Sequence, residues 1–277
     1  MRQRFAIARP LKRDLEPRKG KGIGRGRRPP SLILPRTDFG WLEPQHIKAK
    51  PEDIAEKAVI SGDPERVTHL STLLEHPRLV SDNRGFLTYT GEHGGERLTI
   101  ACHGVGSPSA AIVIEELAML GAKAIIRLGS CGGLLKPMRV GDLVIATRAG
   151  YRSGTLSQYF GKRITPKPDG VLTGLLEDSA RRRRAECYQG PVFSSDAFYA
   201  EEEDFVKKCS RQGYIAIEME CATLFGLGKL RKVMTASLLI VSNNITMSGP
   251  MVEAHALRRQ AINAGEIAFT ALNGVHI

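Results

Sequence analysis

The chain has 277 residues, with 40 Lys plus Arg against 29 Asp plus Glu, for a formal charge of +11. Its 42% hydrophobic and 25% charged content is that of a globular protein with a sizeable core, which excludes disorder throughout. No apolar run approaches the roughly 20 residues that a bilayer span needs.

The charge is uneven. Residues 1–40 hold 12 Lys plus Arg and 3 acids, a net of +9, so residues 41–277 hold 28 and 26, a net of +2. The leader contains five Gly, five Pro and no helical or strand periodicity, a composition that cannot bury enough apolar surface to offset its chain entropy. It reads as a flexible arm ahead of a nearly neutral domain at 41–277, and either as a solvated tail or as a segment that binds nucleic acid. No aromatic residue interleaves with the basic run at 19–30, as a base-stacking platform requires, so nucleic acid is not the expected partner. No apolar segment follows the basic N-terminus as in a secretory signal, and a cytoplasmic location is expected. Cys102, Cys131, Cys187, Cys209 and Cys221 are odd in number and form no CxxC, so neither a disulfide framework nor a metal site is expected.

In chain order, a strand over 59–60 ends in the turn Gly62-Asp63-Pro64, and a helix runs on to Leu74. Strands at 86–90 and 97–101 pair across a turn rich in Gly and charge. Cys102-His103-Gly104-Val105-Gly106 then leads into a helix after Pro108. A strand at 124–128 ends in an expected turn, Gly129-Ser130-Cys131-Gly132-Gly133, and another strand covers 142–146. Helices at 170–182 and 201–211 precede a strand at 216–218 and a helix at 222–230. A buried strand at 235–241 and a closing helix over 253–272 complete the pattern. Such alternation predicts an α/β fold, with helices flanking a mixed sheet.

Three small-residue turns thus close apolar strands, where open α/β sheets bind ligands and where backbone N–H groups can approach an anion. Arg66 follows Gly62 by four residues, and Arg127 precedes Gly129 by two. An arginine inside an apolar strand end needs a partner, because burying an unpaired guanidinium is expensive. Phosphate suits its planar fork, and a core acid would serve as well. No turn matches a P-loop or a GxGxxG fingerprint. Glu218-Met219-Glu220 sets two carboxylates where a strand becomes a helix. They suit vicinal sugar hydroxyls, or else the positive end of a helix dipole.

Gly62-Asp63-Pro64-Glu65-Arg66, Asn83-Arg84-Gly85-Phe86, Arg127-Leu128-Gly129-Ser130-Cys131-Gly132, Ser195-Asp196-Ala197-Phe198-Tyr199 and Glu218-Met219-Glu220 follow the order and spacing of one superfamily. Over about residues 44–273 the sequence resembles the hexameric-type nucleoside phosphorylases, which act on purine nucleosides, 5′-methylthioadenosine or uridine. Its resemblance to archaeal methylthioadenosine/purine nucleoside phosphorylases is the strongest. It implies a three-layer α/β/α fold around a mixed, partly barrel-like sheet, and a homohexamer (trimer of dimers) with sites shared across the dimer interface. Gly62, Arg66, Arg127 and Ser130 match the phosphate site, and Arg84 an arginine reaching the neighbouring subunit's phosphate. His46 matches a histidine crossing to the ribose 5′ group. Met219 and Glu220 match ribose contacts, and Phe198, Ile217 and Asn243 fall at the base. The implied catalytic set is Asn243, Glu220 and Arg127. The implied reaction needs no metal or organic cofactor, only phosphate as co-substrate.

The sequence departs from that pattern at the base. Many purine members carry Ser-Asp where this chain has Ser242-Asn243, and that Asp protonates purine N7. An amide can hydrogen-bond to the base but cannot supply the proton. Uridine enzymes place Gln and Arg where Glu202 and Asp204 stand, and neither can make the uracil contact. Nucleosidase cousins lack the phosphate arginines. The expectation is phosphorolysis of inosine or guanosine, with adenosine and 5′-methylthioadenosine as further substrates to test. Uridine phosphorolysis, nucleoside hydrolysis and nucleic-acid binding through the leader are the alternatives.

Overall fold

The computed structural model describes residues 43–200, 202–247 and 251–277. The basic leader lies outside them. In chain order the elements are β1 (Lys57–Ser61), α1 (Pro64–Ser71), β2 (Glu75–Ser81), β3 (Thr88–His93), β4 (Glu96–Cys102), α2 (Ser107–Met119), β5 (Ala124–Gly133), β6 (Leu143–Arg152), α3 (Gly154–Phe160), α4 (Gly170–Arg182), β7 (Cys187–Ser195), α5 (Glu203–Arg211), β8 (Ala216–Glu218), α6 (Cys221–Arg231), β9 (Met234–Asn244) and α7 (Arg258–Asn273).

The strands form one mixed sheet in the order β2-β3-β4-β1-β5-β8-β7-β6-β9, and β9 also pairs with β5. That last pairing closes β5, β8, β7, β6 and β9 into a ring, so the sheet is part barrel and part open wing. Side chains along each strand alternate between two cores. Ala58 and Ile60 of β1 join the core under α2, α3 and α6, while Val59 joins the core under α1, α4 and α7. This is the expected three-layer α/β/α arrangement.

β5 organises the site. Its first half pairs with β1 as far as Arg127, and β8 takes up the same side only from Gly132. Between them the sheet splits at the carboxyl ends of β1 and β5, the position at which α/β sheets bind ligands.

The residues 129–133, expected as a turn, instead continue β5, because β9 pairs with the strand through Gly133. The glycines serve close packing. A β-carbon at Gly129 would collide with the Arg127 guanidinium, and one at Gly132 with Ile245. β2, α3 and β7 lie in stretches where no element was expected. β2 exposes most of its residues and β7 mixes small and polar ones, so neither carries a clear period of two. The last helix begins at Arg258 rather than 253, after a short 3-10 turn at Ala254–Leu257, and α5 begins at Glu203 rather than 201.

Candidate active site

A cleft of about 520 Å³ opens at the split in the sheet. Of the residues the sequence singles out, Gly62, Arg66, Arg127, Ser130, Phe198, Ile217, Met219, Glu220 and Asn243 all line it. They come from β1, α1, β5, β8, the start of α6, β9 and the 3-10 turn after β7.

One wall is backbone. Gly62 follows β1 and lies against the turn after β4: a β-carbon there would stand 2.7 Å from the Gly104 carbonyl oxygen, so only glycine fits. Asp63 caps α1 by accepting from the Glu65 N–H at 2.9 Å, and Pro64 opens the helix, which fixes where Arg66 begins. Arg66 is buried and spans the gap between β1 and β5. It donates to the Leu128 carbonyl at 3.3 Å and to Ser130 Oγ at 2.9 Å. Burial draws its pKa below the ordinary arginine value; Asp63 opposes that and Arg127 reinforces it.

Arg127 meets the two carboxylates. It is ion-paired with Glu220, and its Nη1 lies 3.4 Å from Glu218. Of the two readings of this arginine, pairing with core acids is what the structure shows, and the same side chain also lines the cleft. Burial works against its charge, but Glu220 and Glu218 outweigh that and hold its pKa above the ordinary value. Burial likewise pushes the Glu220 carboxyl up, and Arg127, the His103 ring and the Gly106 N–H at 2.6 Å together bring it below the usual range.

The two glutamates have separate work. Glu218 accepts from the Ser194 hydroxyl and from the Glu220 and Cys221 N–H groups at 2.7 and 2.9 Å, and so caps the start of α6. Glu220 forms part of the cleft wall and keeps its carboxylate on Arg127 and Gly106. The Ser107 hydroxyl donates to the Met219 carbonyl at 2.9 Å and fixes the residue between them.

At the outer end Phe198 is 46% exposed and stacks edge-on against Tyr199. Asn243 owes its direction to a bulge: Cys131 pairs with Val241 and Gly132 with Asn243, which leaves Ser242 unpaired. The Ser242 hydroxyl ties the bulge to the Cys131 carbonyl at 3.2 Å. Asn243 Oδ1 would lie 3.3 Å from a β-carbon on Gly132.

His46 and Arg84 do not line this cleft. Glu116 of α2 gathers the His46 loop, accepting from three consecutive N–H groups and lying 2.8 Å from His46 Nδ1. Asn83, beside Arg84, donates to the His46 carbonyl at 3.0 Å, so the two residues share one region of the surface. Arg84 is exposed and left-handed (φ 55°), a conformation that costs a non-glycine residue about 1–2 kcal/mol.

Sequence reasoning passed over His103, whose ring is fully buried against Gly62. It also passed over Ser194, Ile245 and Met251. The run Cys102-His103-Gly104 was visible as a strand-ending turn, but nothing in it separates a buried imidazole from an exposed one. Among the described residues no three His, Cys, Asp or Glu side chains converge as a metal-binding set, and no helix is long and apolar enough to cross a membrane.

The family described as the phosphorylase superfamily matches residues 56–272. A guanosine phosphorylase of Halorubrum lacusprofundi is 36% identical over 200 residues, covering 72% of this chain and 83% of that protein. A purine nucleoside phosphorylase, DeoD-type, of Hahella chejuensis is 35% identical over 235 residues, covering 83% and 98%. Among solved structures, a uridine phosphorylase of Vibrio fischeri ES114, complexed with 6-hydroxy-1-naphthoic acid, superposes with a TM-score of 0.75 at 27% identity, covering 83% of this chain and 95% of that one.

Proposed function

The chain belongs to the phosphorylase superfamily, and on that premise we propose that it cleaves purine nucleosides with phosphate, releasing the free base and ribose 1-phosphate. One observation carries the reading. Two buried arginines, Arg66 and Arg127, flank a glycine-lined backbone wall at the split in the sheet, in one cleft with Glu220.

Phosphate is a weak nucleophile and must be held beneath C1′ of the sugar. Arg66, Arg127, Ser130 and the backbone at Gly62 are the groups suited to hold it. Fixing the reactants in this way contributes on the order of 7–11 kcal/mol. As the glycosidic bond lengthens, positive charge grows on the ribose, and the bound dianion and Glu220 stabilise it. Glu220 also accepts from the 2′- and 3′-hydroxyls, with Met219 beside the sugar. Phe198 and Ile217 flank the base, and the Asn243 amide reaches N7 and the substituent at position 6. Phosphate is the only co-substrate this scheme uses, and no cofactor enters it. His46 and Arg84 serve a neighbouring subunit in a homohexamer (trimer of dimers), which accounts for their place outside their own cleft. A cytoplasmic location fits nucleoside salvage.

Asn243 favours 6-oxopurines. Inosine and guanosine leave with charge shared by N7 and O6, both within reach of an amide, whereas adenine gains more from a proton that an amide cannot give. The similarity to a guanosine phosphorylase supports this choice. Glu202 and Asp204, at the start of α5, carry the wrong chemistry for uracil.

The test is a panel of inosine, guanosine, adenosine, 5′-methylthioadenosine and uridine, with and without phosphate. Ribose 1-phosphate is expected from inosine and guanosine only when phosphate is present. Their kcat/KM should exceed that of adenosine by about 10-fold or more, since general acids contribute about 10²–10⁴-fold. Base release without phosphate would make the protein a hydrolase, and uridine as the best substrate would overturn the purine assignment.

A further inference from the structure

His103 directly follows β4, in the turn that leads to α2. Its backbone is pinned, the N–H donating to the Ser61 carbonyl at 2.8 Å and the carbonyl accepting from Ser109 Oγ at 2.5 Å. Its ring is fully buried, and neither ring nitrogen makes a well-aligned hydrogen bond among the described residues; only weak backbone contacts from Gly104 and His103 itself reach it. An imidazole brings one donor and one acceptor, and satisfying them only weakly inside a protein is costly. The ring lies directly behind the cleft wall, with Cε1 3.3 Å from the place a β-carbon would take on Gly62.

The charged groups acting on the ring are Glu220, at the start of α6, and Arg127 of β5. Glu218 of β8 is tied to that same arginine. Asp63 and Arg66 follow Gly62 on the β1–α1 turn and α1. The neighbouring Cys102 thiol is pushed up by burial and stays neutral. With Arg127 paired to Glu220, burial dominates and holds the ring neutral, its pKa near 4.

That balance depends on Arg127. The two buried carboxylates and the two buried arginines of the cleft cancel in formal charge. A dianion entering the cleft competes for the Arg127 guanidinium and adds two negative charges, and nearby negative charge favours the protonated imidazole.

We propose that His103 is a positioning residue of this site: when an anion engages Arg127, the ring takes up a proton and supplies the positive charge that keeps Glu220 in place for the sugar hydroxyls. The inference rests on the phosphate-site reading above. The proton comes from solvent and goes to a ring nitrogen, and no other bond changes.

Sulfate is the probe, because it stays a dianion across the range used and any proton uptake belongs to the protein. Titration calorimetry of the full chain in buffers of different ionisation heat counts the protons taken up per sulfate. The wild type should take up nearly one proton at about pH 6 and almost none at about pH 8, and should bind sulfate about 10-fold more tightly at the lower pH. His103→Asn should take up none and bind with an affinity flat in pH, and His103→Gln serves if that variant does not fold. A wild type that binds sulfate without proton uptake, or a variant that keeps the uptake, overturns the inference and leaves the phosphate site standing. Failure of the wild type to bind either sulfate or phosphate overturns both.

Discussion

At the inner end of the cleft, Arg127, Glu218 and Glu220 are each 4% exposed and bound to one another or to backbone N–H groups, whereas at the rim Phe198 is 46% exposed and Val105 73%. The inner end is set by strand ends and glycines that leave no room for change. The rim is set by the short turn that carries the exposed Phe198 and by a bulge whose Ser242 hydroxyl ties it back to β5, while Asn243 stands half-buried at the cleft. Charge that must be aimed before the reaction begins has to sit on rigid elements, because reorganising it during the reaction would consume the gain. Base selection needs no such rigidity and can vary from a surface turn.

Removing Arg127 should have the largest effect. Arg127→Ala leaves Glu218 and Glu220 buried without a counter-charge, which costs on the order of 3–5 kcal/mol of stability. It should also abolish saturation by phosphate, read as an initial rate that no longer levels off with phosphate concentration. Unchanged phosphate saturation would show that the inner end is structural and does not bind the anion.

The second test uses pH. Because the His103 pKa lies near 4 in the fold and near 6.5 unfolded, the unfolded chain binds the extra proton between those values. Stability is therefore intact above about pH 6.5 and falls as pH drops towards about 4, where the loss levels off at about 3 kcal/mol. Denaturant midpoints of the wild type should fall over that window relative to His103→Asn. Parallel curves would mean that the ring is not held neutral by burial.

Gly129→Ala sharpens the comparison from the backbone side. Its β-carbon competes with the Arg127 guanidinium for space, and such overpacking costs about 1–3 kcal/mol. The phosphate KM should rise while the nucleoside KM changes little. An equal rise in both would show that the two ends of the cleft are not independent.

At the rim, Asn243→Asp should act on catalysis and leave stability unchanged. The new carboxyl can protonate purine N7 when it carries a proton, so adenosine turnover should rise by about 10-fold towards acidic pH and inosine turnover less. Adenosine rates that do not respond would remove Asn243 from base selection.

Sequence periodicity was sufficient for β1, β4, β9 and α2, because a strand or helix buried on the sheet carries its period in its own residues. Gly62, Arg66, Arg127 and the Glu218–Glu220 stretch were legible at strand ends and turns, whereas Phe198, Ile217 and Asn243 were placed in the site by the family resemblance alone; all of them line the cleft. β2 and β7 escaped, because their composition follows from neighbours distant in the chain. Residues 129–133 misled for the same reason: glycines suggest a turn until β9 is present to pair with them and the Arg127 side chain to fill the space above Gly129. The division of labour between Glu218 and Glu220, which both line the cleft, was likewise beyond the sequence, because which carboxylate is held by the Ser194 hydroxyl and which by the Gly106 N–H depends on residues 24 and 114 positions away. Short-range order is written in the periodicity of a segment. Which charges meet, and which histidine is buried against the cleft wall, is decided only when elements far apart in the chain close around them.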